Sequence, residues 1–301
     1  MTFAPTLKQL QYLTALHRTH HFGRAAAASF VTQSTLSAGL RELETLLGVI
    51  LVERTRRVVR FTDLGEQVAA KAYAVLREAG ELTDLVRAAA TPLGGALRLG
   101  VIPTIAPFLL PRLLPGLRAA YPDLKLFLRE EQSGPACEAL ARGQLDAVLL
   151  ALPWACGDVA TLPLFDDPFH LAFHPDDWPH APATVRPALI DQARLLLLED
   201  GHCLKDHALA ACGNPGLRAD TAMLGTSLHT LVQMVANRLG MTLVPQMAID
   251  AAILAGTPVV ARPVAGAYAA RTIALAWRTS SPRAAEFRLL GAALTTVRPP
   301  D

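Results

Sequence analysis

The stretch Glu199–Gly213, EDGHCLKDHALAACG, gathers residue types that do chemistry: His202, His207, Asp206, Lys205, and two of the chain's four cysteines, Cys203 and Cys212, nine positions apart. Three roles compete for this pair. Unreactive cysteine is a small buried hydrophobe, so both residues could be apolar filler. A metal site would draw on His202, Cys203, His207 and Cys212. Against it, adjacent His and Cys do not easily aim at one ion, and the spacing matches no common zinc pattern, so no metal ligand is assigned. A redox pair is the third role. Cys203 falls at an expected helix N-terminus with His202, Lys205 and His207 close in sequence, and both features favour thiolate. Thiolate reacts with peroxide to sulfenic acid, which a second thiol converts to a disulfide. Cys203 would be attacked and Cys212 would resolve. Asp206, one turn on, opposes thiolate formation unless it pairs with Lys205 or a histidine.

Geometry sharpens the redox role. If residues 204–211 are helical and Gly213 stops the helix, positions nine apart lie about 13.5 Å along the axis and about 180° around it. A disulfide requires Cα atoms within about 7 Å. Bond and intact helix then exclude each other, which suits a two-state switch and not a staple. The residues alone leave filler and switch both open.

These side chains must be carried by a well-cored chain, since 301 residues with 51% apolar content amount to about two ordinary domains. The opening MTFAPTLKQLQYLTALHRTHHFG has no uninterrupted apolar h-region, and no run approaches the roughly 18 residues that span a bilayer. The expectation is a cytoplasmic protein without a membrane partner. Four cysteines are too sparse there for a disulfide framework, so Cys137, on an apolar helix, and Cys156, in the loop-like WACGD, read as bystanders. The net charge of +2 is uneven: residues 1–61 hold eight Lys/Arg against three Asp/Glu. Arg54, Arg56, Arg57 and Arg60 fall within seven residues, which suits a polyanion.

In that basic end, LKQLQYLTALHRT carries apolar residues at helical spacing from Leu7 to Leu16, and FGRAAAAS is a short second helix with small side chains. VTQSTLSAGLRELETLLG opens a third, with Thr32 as N-cap, Leu36, Leu40, Leu43 and Leu47 as its buried face, and Gly48 as its stop. VILVER and RRVVRFT read as two short strands joined through a basic turn. Three helices and a wing describe a winged helix-turn-helix, whose recognition helix enters the major groove N-terminus first. Thr32, Gln33, Ser34, Thr35 and Ser37 sit at that end. Gln33 suits a bidentate pair with adenine, Thr35 and Ser37 reach bases or phosphates, and Arg54, Arg56 and Arg57 neutralise phosphates. A long helix then runs from Thr62-Asp63 to about Ala90. Its apolar residues at 68, 72, 75, 79, 82 and 86 alternate steps of four and three, a seam suited to pairing two chains.

Beyond Thr91-Pro92 and Gly94-Gly95, strands alternate with helices. RLGVIPT, LKLFLREE and the end of CEALARGQLDAVLLAL are strands around the helix APFLLPRLLPGLRAAYP, and LLLLE, SLHTLVQMVANRLG and MTLVP repeat the alternation. The expectation is an α/β domain in two lobes with largely parallel sheets. Ligands in such sheets bind beyond the carboxyl ends of strands, where Thr104 and Ser133 fall.

The run from Phe22 through AAAASFVTQSTLSAGLRELETLLGVILVERTRRVVRFTDLG resembles the N-terminal signature of LysR-type transcriptional regulators. Ala38 and Gly39 depart from it where many relatives carry Arg at position 38. EDGHCLKDHALAAC is similar to the redox segment of the hydrogen-peroxide-sensing OxyR branch of that family, as are VIPTIAPFLLP, PLFDDP, TSLHTLVQMVA and RTIALAWR. The resemblance implies an α/β protein with a winged helix-turn-helix at 1–62, a long linker and dimerisation helix at 63–91, and a bilobed periplasmic-binding-protein-like regulatory domain at 92–301. It further implies that Thr104, Ser133 and His202 bind peroxide beside Cys203, with Lys205 and Asp206 in support. Ser133 stands where threonine is usual, and Lys205 where arginine is usual, losing the planar fork. The implied protein is an activator of antioxidant genes and not an enzyme. It signals through a reversible Cys203–Cys212 disulfide, without a cofactor. Its implied partners are double-stranded operator DNA, RNA polymerase and further copies of itself, a homodimer assembling to a homotetramer. Two rivals stand beside this: a regulator sensing a small organic effector in the interlobe cleft, and a thiol peroxidase that turns the same pair over.

Overall fold

The structure is a computed structural model describing residues 4–54, 59–90, 92–213 and 224–296. It divides into two compact units, Met1–Val86 and Arg87–Asp301.

In the first unit, α1 (Leu7–Thr19) starts from a capping box in which Thr6 accepts the Gln9 N–H and the Gln9 side chain accepts the Thr6 N–H. Helix α2 (Phe22–Ala28) is capped by the His21 ring, and α3 (Gln33–Leu47) by the Thr32 hydroxyl, ending at Gly48 with φ 68°. Leu13, Leu16, Ala25, Leu36, Leu40 and Leu43 form the core. Gly39 belongs to the inner face: a Cβ there would lie 2.8 Å from the Tyr12 ring, so the absence of a side chain lets α1 and α3 close together. Leu47, expected on the buried face, is instead half-exposed, and Leu51 beyond the Gly48 turn is fully buried in the same core. Strands β1 (Val52–Arg54) and β2 (Val59–Phe61) pair antiparallel as the wing, and the Glu44 carboxylate ties it to α3 by accepting the Leu51 and Val52 N–H groups at 3.0 and 3.1 Å. Arg56 and Arg57 lie outside the described residues, and Arg54 closes β1.

Helix α4 (Asp63–Ala90) is capped by Thr62, whose hydroxyl accepts the Gly65 N–H at 2.9 Å. Its seam splits: Ala72 is 2% exposed against the winged unit, whereas Leu82 and Val86 are 70% and 72% exposed. Val68 and Ala72 therefore belong to the unit's own core, whereas Val75, Leu82 and Val86 leave an exposed apolar stripe.

The second unit contains β3 (Ala96–Val101), α5 (Ala106–Ala120), β4 (Lys125–Glu130), α6 (Ser133–Ala141), β5 (Ala147–Leu152) and the long β6 (Val159–Phe173). There follow β7 (Leu197–Leu198), α7 (Cys203–Ala211), β8 (Leu224–Gly225), α8 (Leu228–Ala236), β9 (Thr242–Pro245), α9 (Gln246–Asp250), β10 (Val260–Pro263), β11 (Ala270–Arg278) and α10 (Ala284–Thr295). One seven-stranded sheet runs β10-β6-β11-β5-β3-β4, with β9 also on β6, while β7 and β8 form a separate pair. Only part is parallel, contrary to the largely parallel sheets expected. β3 runs parallel to β4 and β5, but β11 is antiparallel to both β5 and β6, and β6 is antiparallel to β9 and β10. The physical reason is β6 itself. Residues 159–168 pair with β11 and residues 169–173 with β9 and β10, so the two halves of one strand join the β11-β5-β3-β4 part to β9 and β10 without a crossover helix.

A second correction concerns Cys137 and Cys156, which are bonded to each other with Cα atoms 5.1 Å apart. Helix α6 packs back over β5, and the chain leaving β5 passes beneath Cys137. Nineteen residues of separation thus close into one contact.

Candidate functional site

The site is built around the N-terminus of α7. Cys203 is its first residue, 1% exposed, and its backbone N–H donates to Ser133 Oγ at 3.4 Å. That bond satisfies one orphan donor of the helix end, and it joins α7 to the start of α6. Because the Ser133 oxygen accepts there, its own O–H remains to donate toward the sulfur. His202, immediately before, makes no cap; its Nε2 accepts from Gln132 Nε2 at 3.1 Å. Gly201 makes this approach possible. Its φ is +94°, and a Cβ would stand 2.6 Å from the Gln132 side-chain oxygen Oε1.

Thr104 reaches the site through a residue that sequence reasoning missed. Arg271 on β11 is fully buried and donates from Nη1 to Thr104 Oγ1 at 2.8 Å and from Nη2 to the Thr104 carbonyl at 2.9 Å. The same guanidinium grips Asp167 on β6, with Nε and Nη2 at 3.0 and 2.9 Å from Oδ2, and Asp167 also accepts the Met247 N–H at 2.9 Å. A buried pair of this kind persists because nearly all its polar atoms are satisfied. Burial pushes the Asp167 carboxyl above the usual range, opposed by the Arg271 charge. Arg271 polarises the Thr104 hydroxyl and leaves that proton free to donate. Two hydroxyls, Thr104 and Ser133, are thus oriented by donors behind them.

The electrostatics differ from the sequence expectation of a thiolate-favouring end. Burial pushes the Cys203 thiol above its ordinary value, while Arg271, the Ser133 hydroxyl and the Ala151 backbone pull it down and Asp206 adds to the rise. The neighbouring cations do not serve it. Lys205 Nζ pairs with Asp200 at 2.5 Å, and His207 Nε2 donates to the Pro153 carbonyl at 3.0 Å. Burial holds both His202 and His207 below the ordinary histidine value, hence neutral. Asp206 is exposed and does not pair with Lys205.

Cys212 caps the other end of α7 and is 3% exposed; burial pushes its thiol up to about 11. Both thiols are free. The structure gathers Ser133, His202 and Cys203 around one helix end, brings Thr104 to it through Arg271, and keeps Cys212 at the opposite end, about 13.5 Å along an ideal helix. His202 and His207 are engaged with Gln132 and Pro153.

In the first unit, Thr32, Gln33, Ser34 and Thr35 are exposed at the start of α3, and Ser37 is half-buried one turn on. The Thr32 hydroxyl lies 2.8 Å from those of both Ser34 and Thr35, and Arg41 donates to Ser37 at 3.3 Å. Ser34, Thr35 and Ser37 are therefore pre-positioned as a polar end, and Gln33 extends beside them. No described helix is long and apolar enough to cross a membrane.

Comparison with known proteins agrees with both halves. Residues 7–66 match the bacterial regulatory helix-turn-helix proteins of the lysR family, and residues 90–298 match the LysR substrate binding domain. The chain is 43% identical over 291 residues to the HTH-type transcriptional regulator EstR of Acinetobacter baylyi, covering 96% of each. It is 41% identical over 293 residues to a probable hydrogen peroxide-inducible genes activator of Streptomyces viridosporus, covering 96% of this chain and 93% of that one. Among solved structures, a full-length cysteine-to-aspartate variant of OxyR from Pseudomonas aeruginosa superposes with a TM-score of 0.79 at 36% identity, covering 97% of this chain and 95% of that one. These matches span almost the whole sequence, and the chain belongs to the LysR family of bacterial helix-turn-helix transcriptional regulators, with the sequence and fold of its OxyR-like members.

Proposed function

We propose that this regulator senses hydrogen peroxide through Cys203 and signals by forming a reversible Cys203–Cys212 disulfide. The observation that carries the reading is a buried cysteine at the N-terminus of α7 whose backbone N–H donates to the Ser133 hydroxyl, while a second buried cysteine caps the far end of the same helix. The Cys203 sulfur attacks one peroxide oxygen, the O–O bond breaks, and the other oxygen leaves as water after taking a proton; Cys203 becomes a sulfenic acid. Thr104 and Ser133 donate to the peroxide oxygens, and His202, fixed by Gln132, lies beside them. Cys212 then displaces water from the sulfenic acid, which requires α7 to unwind. Lys205 and Asp206 act in support, Lys205 by anchoring the first turn to Asp200.

Residues 1–62 bind operator DNA, with Thr32, Gln33, Ser34, Thr35 and Ser37 at the groove and Arg54, Arg56 and Arg57 on phosphates. Residues 63–91 pair two chains, and 92–301 form the sensing domain. The assembled form is a homotetramer, acting in the cytoplasm with RNA polymerase as an activator of antioxidant genes. The name of the Streptomyces relative and the OxyR-like fold support this reading.

The test is mass spectrometry after stoichiometric hydrogen peroxide. Loss of two hydrogens from a 203–212 peptide pair is expected, and its absence would sink the proposal. Cys203→Ser is expected to abolish the response, and Cys212→Ser to leave a trapped sulfenic acid. The upward push on the Cys203 thiol favours one rival, a small organic effector with inert cysteines. Saturable binding of a small organic ligand by calorimetry, with thiols that ignore peroxide, would establish it.

A further inference from the structure

The Cys137–Cys156 bond joins two of the segments that hold the first part of α7 by polar contacts. One end is α6. Gln132, its N-cap, holds His202 at 3.1 Å, and Ser133, one turn before Cys137, accepts the Cys203 N–H at 3.4 Å. The other end is the close of β5 and the chain that follows it. The Ala151 backbone in β5 bonds the Cys203 thiol, and the Pro153 carbonyl just beyond, three residues before Cys156, accepts from His207 at 3.0 Å. Four polar contacts of α7 therefore end on segments that this one covalent bond ties together.

All four cysteines are buried, so a dissolved thiol reaches the 137–156 bond only when the chain around it opens locally. Cys156 lies between strands in irregular chain, a kind of segment that opens locally at low cost. A permanent staple is also unusual in a protein that works on DNA, where thiols are held reduced.

We propose that Cys137 and Cys156 are a second, reversible redox couple that sets how fast Cys203 reacts. With the bond closed, α6 and residues 151–156 form one cradle for α7. With it open, they part, and Ser133 no longer holds the reactive end. This rests on the reading of Cys203 as the reacting thiol. Reduction runs by exchange with a dithiol. Its thiolate attacks Cys156 Sγ, the S–S bond breaks, and the electron pair leaves on Cys137 Sγ, which takes up a proton. The second thiol of the reagent then displaces Cys156, leaving the reagent as its disulfide, so two electrons pass from dithiol to protein. An oxidised dithiol runs the sequence backwards.

The experiment uses the full chain carrying Cys212→Ser, which leaves 137–156 as the disulfide to be followed. The protein is incubated with dithiothreitol under native conditions and desalted without oxygen. Mass spectrometry then follows the 137 and 156 peptides and the rate at which iodoacetamide alkylates Cys203. The pair is expected to gain two hydrogens, and alkylation is expected to slow by about fivefold, the effect of loosening one hydrogen bond. Adding Cys137→Ser and Cys156→Ser is expected to give the slow rate without dithiothreitol and no further response to it, with cooperative thermal unfolding retained. A pair that stays closed until the protein unfolds, or one that opens while the Cys203 rate stays within about twofold, overturns the proposal. Because alkylation needs no peroxide, failure of peroxide to form a sulfenic acid removes the sensing proposal and is read separately from this one.

Discussion

If oxidation dismantles α7, the packing of α7 opposes the switch, and weakening that packing should make the disulfide easier to form. Leu204 is the second residue of α7 and 2% exposed. Truncating a buried leucine to alanine costs about 2–5 kcal/mol where its pocket persists. In the reduced protein the whole cost applies. In the oxidised protein, with the helix unwound, Leu204 no longer fills that pocket and the cost is absent. For a two-electron couple, 1.4 kcal/mol corresponds to about 30 mV, so Leu204→Ala should make the 203–212 reduction potential more negative by about 40–110 mV. The assay is a redox titration in dithiol buffers, with acid quenching and mass spectrometry of the 203 and 212 peptides. Leu231→Ala on α8 is the control. Leu231 is 1% exposed but lies outside α7, so its truncation destabilises both forms alike and should shift the potential by less than about 15 mV. Equal shifts in the two variants, or a shift to less negative potential in Leu204→Ala, would refute the idea that the helix is what oxidation takes apart.

Other outcomes follow from the same geometry. Because burial raises the Cys203 thiol, its alkylation rate should keep climbing as pH rises to about 9 and beyond, and a plateau near neutral pH would contradict the buried-thiol account. Arg271→Met leaves Asp167 buried without its cation, at a cost of about 3–5 kcal/mol. That predicts a melting temperature roughly 10 °C lower, with part recovered on adding Asp167→Leu; a loss below about 1 kcal/mol would contradict a satisfied buried pair. His207 has a depressed folded pKa, so it contributes stability fully present above its unfolded value near 6.5 and lost as pH falls through the lower folded one. Its Nδ1 is buried without a partner, so the urea midpoint should drop on acidification below about pH 6.5, and His207→Gln should flatten that dependence. Leu82→Asp, at a position 70% exposed on α4, should weaken self-association by about tenfold or more in sedimentation, with the winged unit's own unfolding unchanged.

Local rules were legible in the sequence because they depend on neighbours a few residues apart. The Thr32 cap, the Gly48 stop, the paired wing strands and the span of α7 are all decided within a turn or two. β6 was not legible. VATLPLFDDPFHLAF has no sustained period of two, since Pro163, Asp166, Asp167 and Pro168 interrupt it, and its continuity comes from partners on both sides. Arg271 and Asp167 were invisible for a different reason: a charged residue reads as surface until its partner, 104 positions away, is known. The Cys137–Cys156 bond needed the packing of α6 over β5. A partial signal existed for Gln132, because a glycine before His-Cys marks a close backbone approach, though not by what.

Cys203 shows where local reasoning reverses. A helix N-terminus flanked by His202, Lys205 and His207 argues for thiolate, but those side chains turn to Gln132, Asp200 and Pro153, and burial outweighs the helix end. The spacing argument survives because it concerns the chain and not its surroundings: nine residues of α-helix hold two thiols apart wherever the helix sits. The docking that buries Cys203 and raises its thiol is also the docking that keeps Cys212 out of reach. In the proposed switch, the stability of docked α7 therefore sets both the reluctance of the first step and the threshold of the second. A substitution that loosens the packing of α7 but leaves the Ser133 contact in place should speed both together, whereas loss of that contact slows the first.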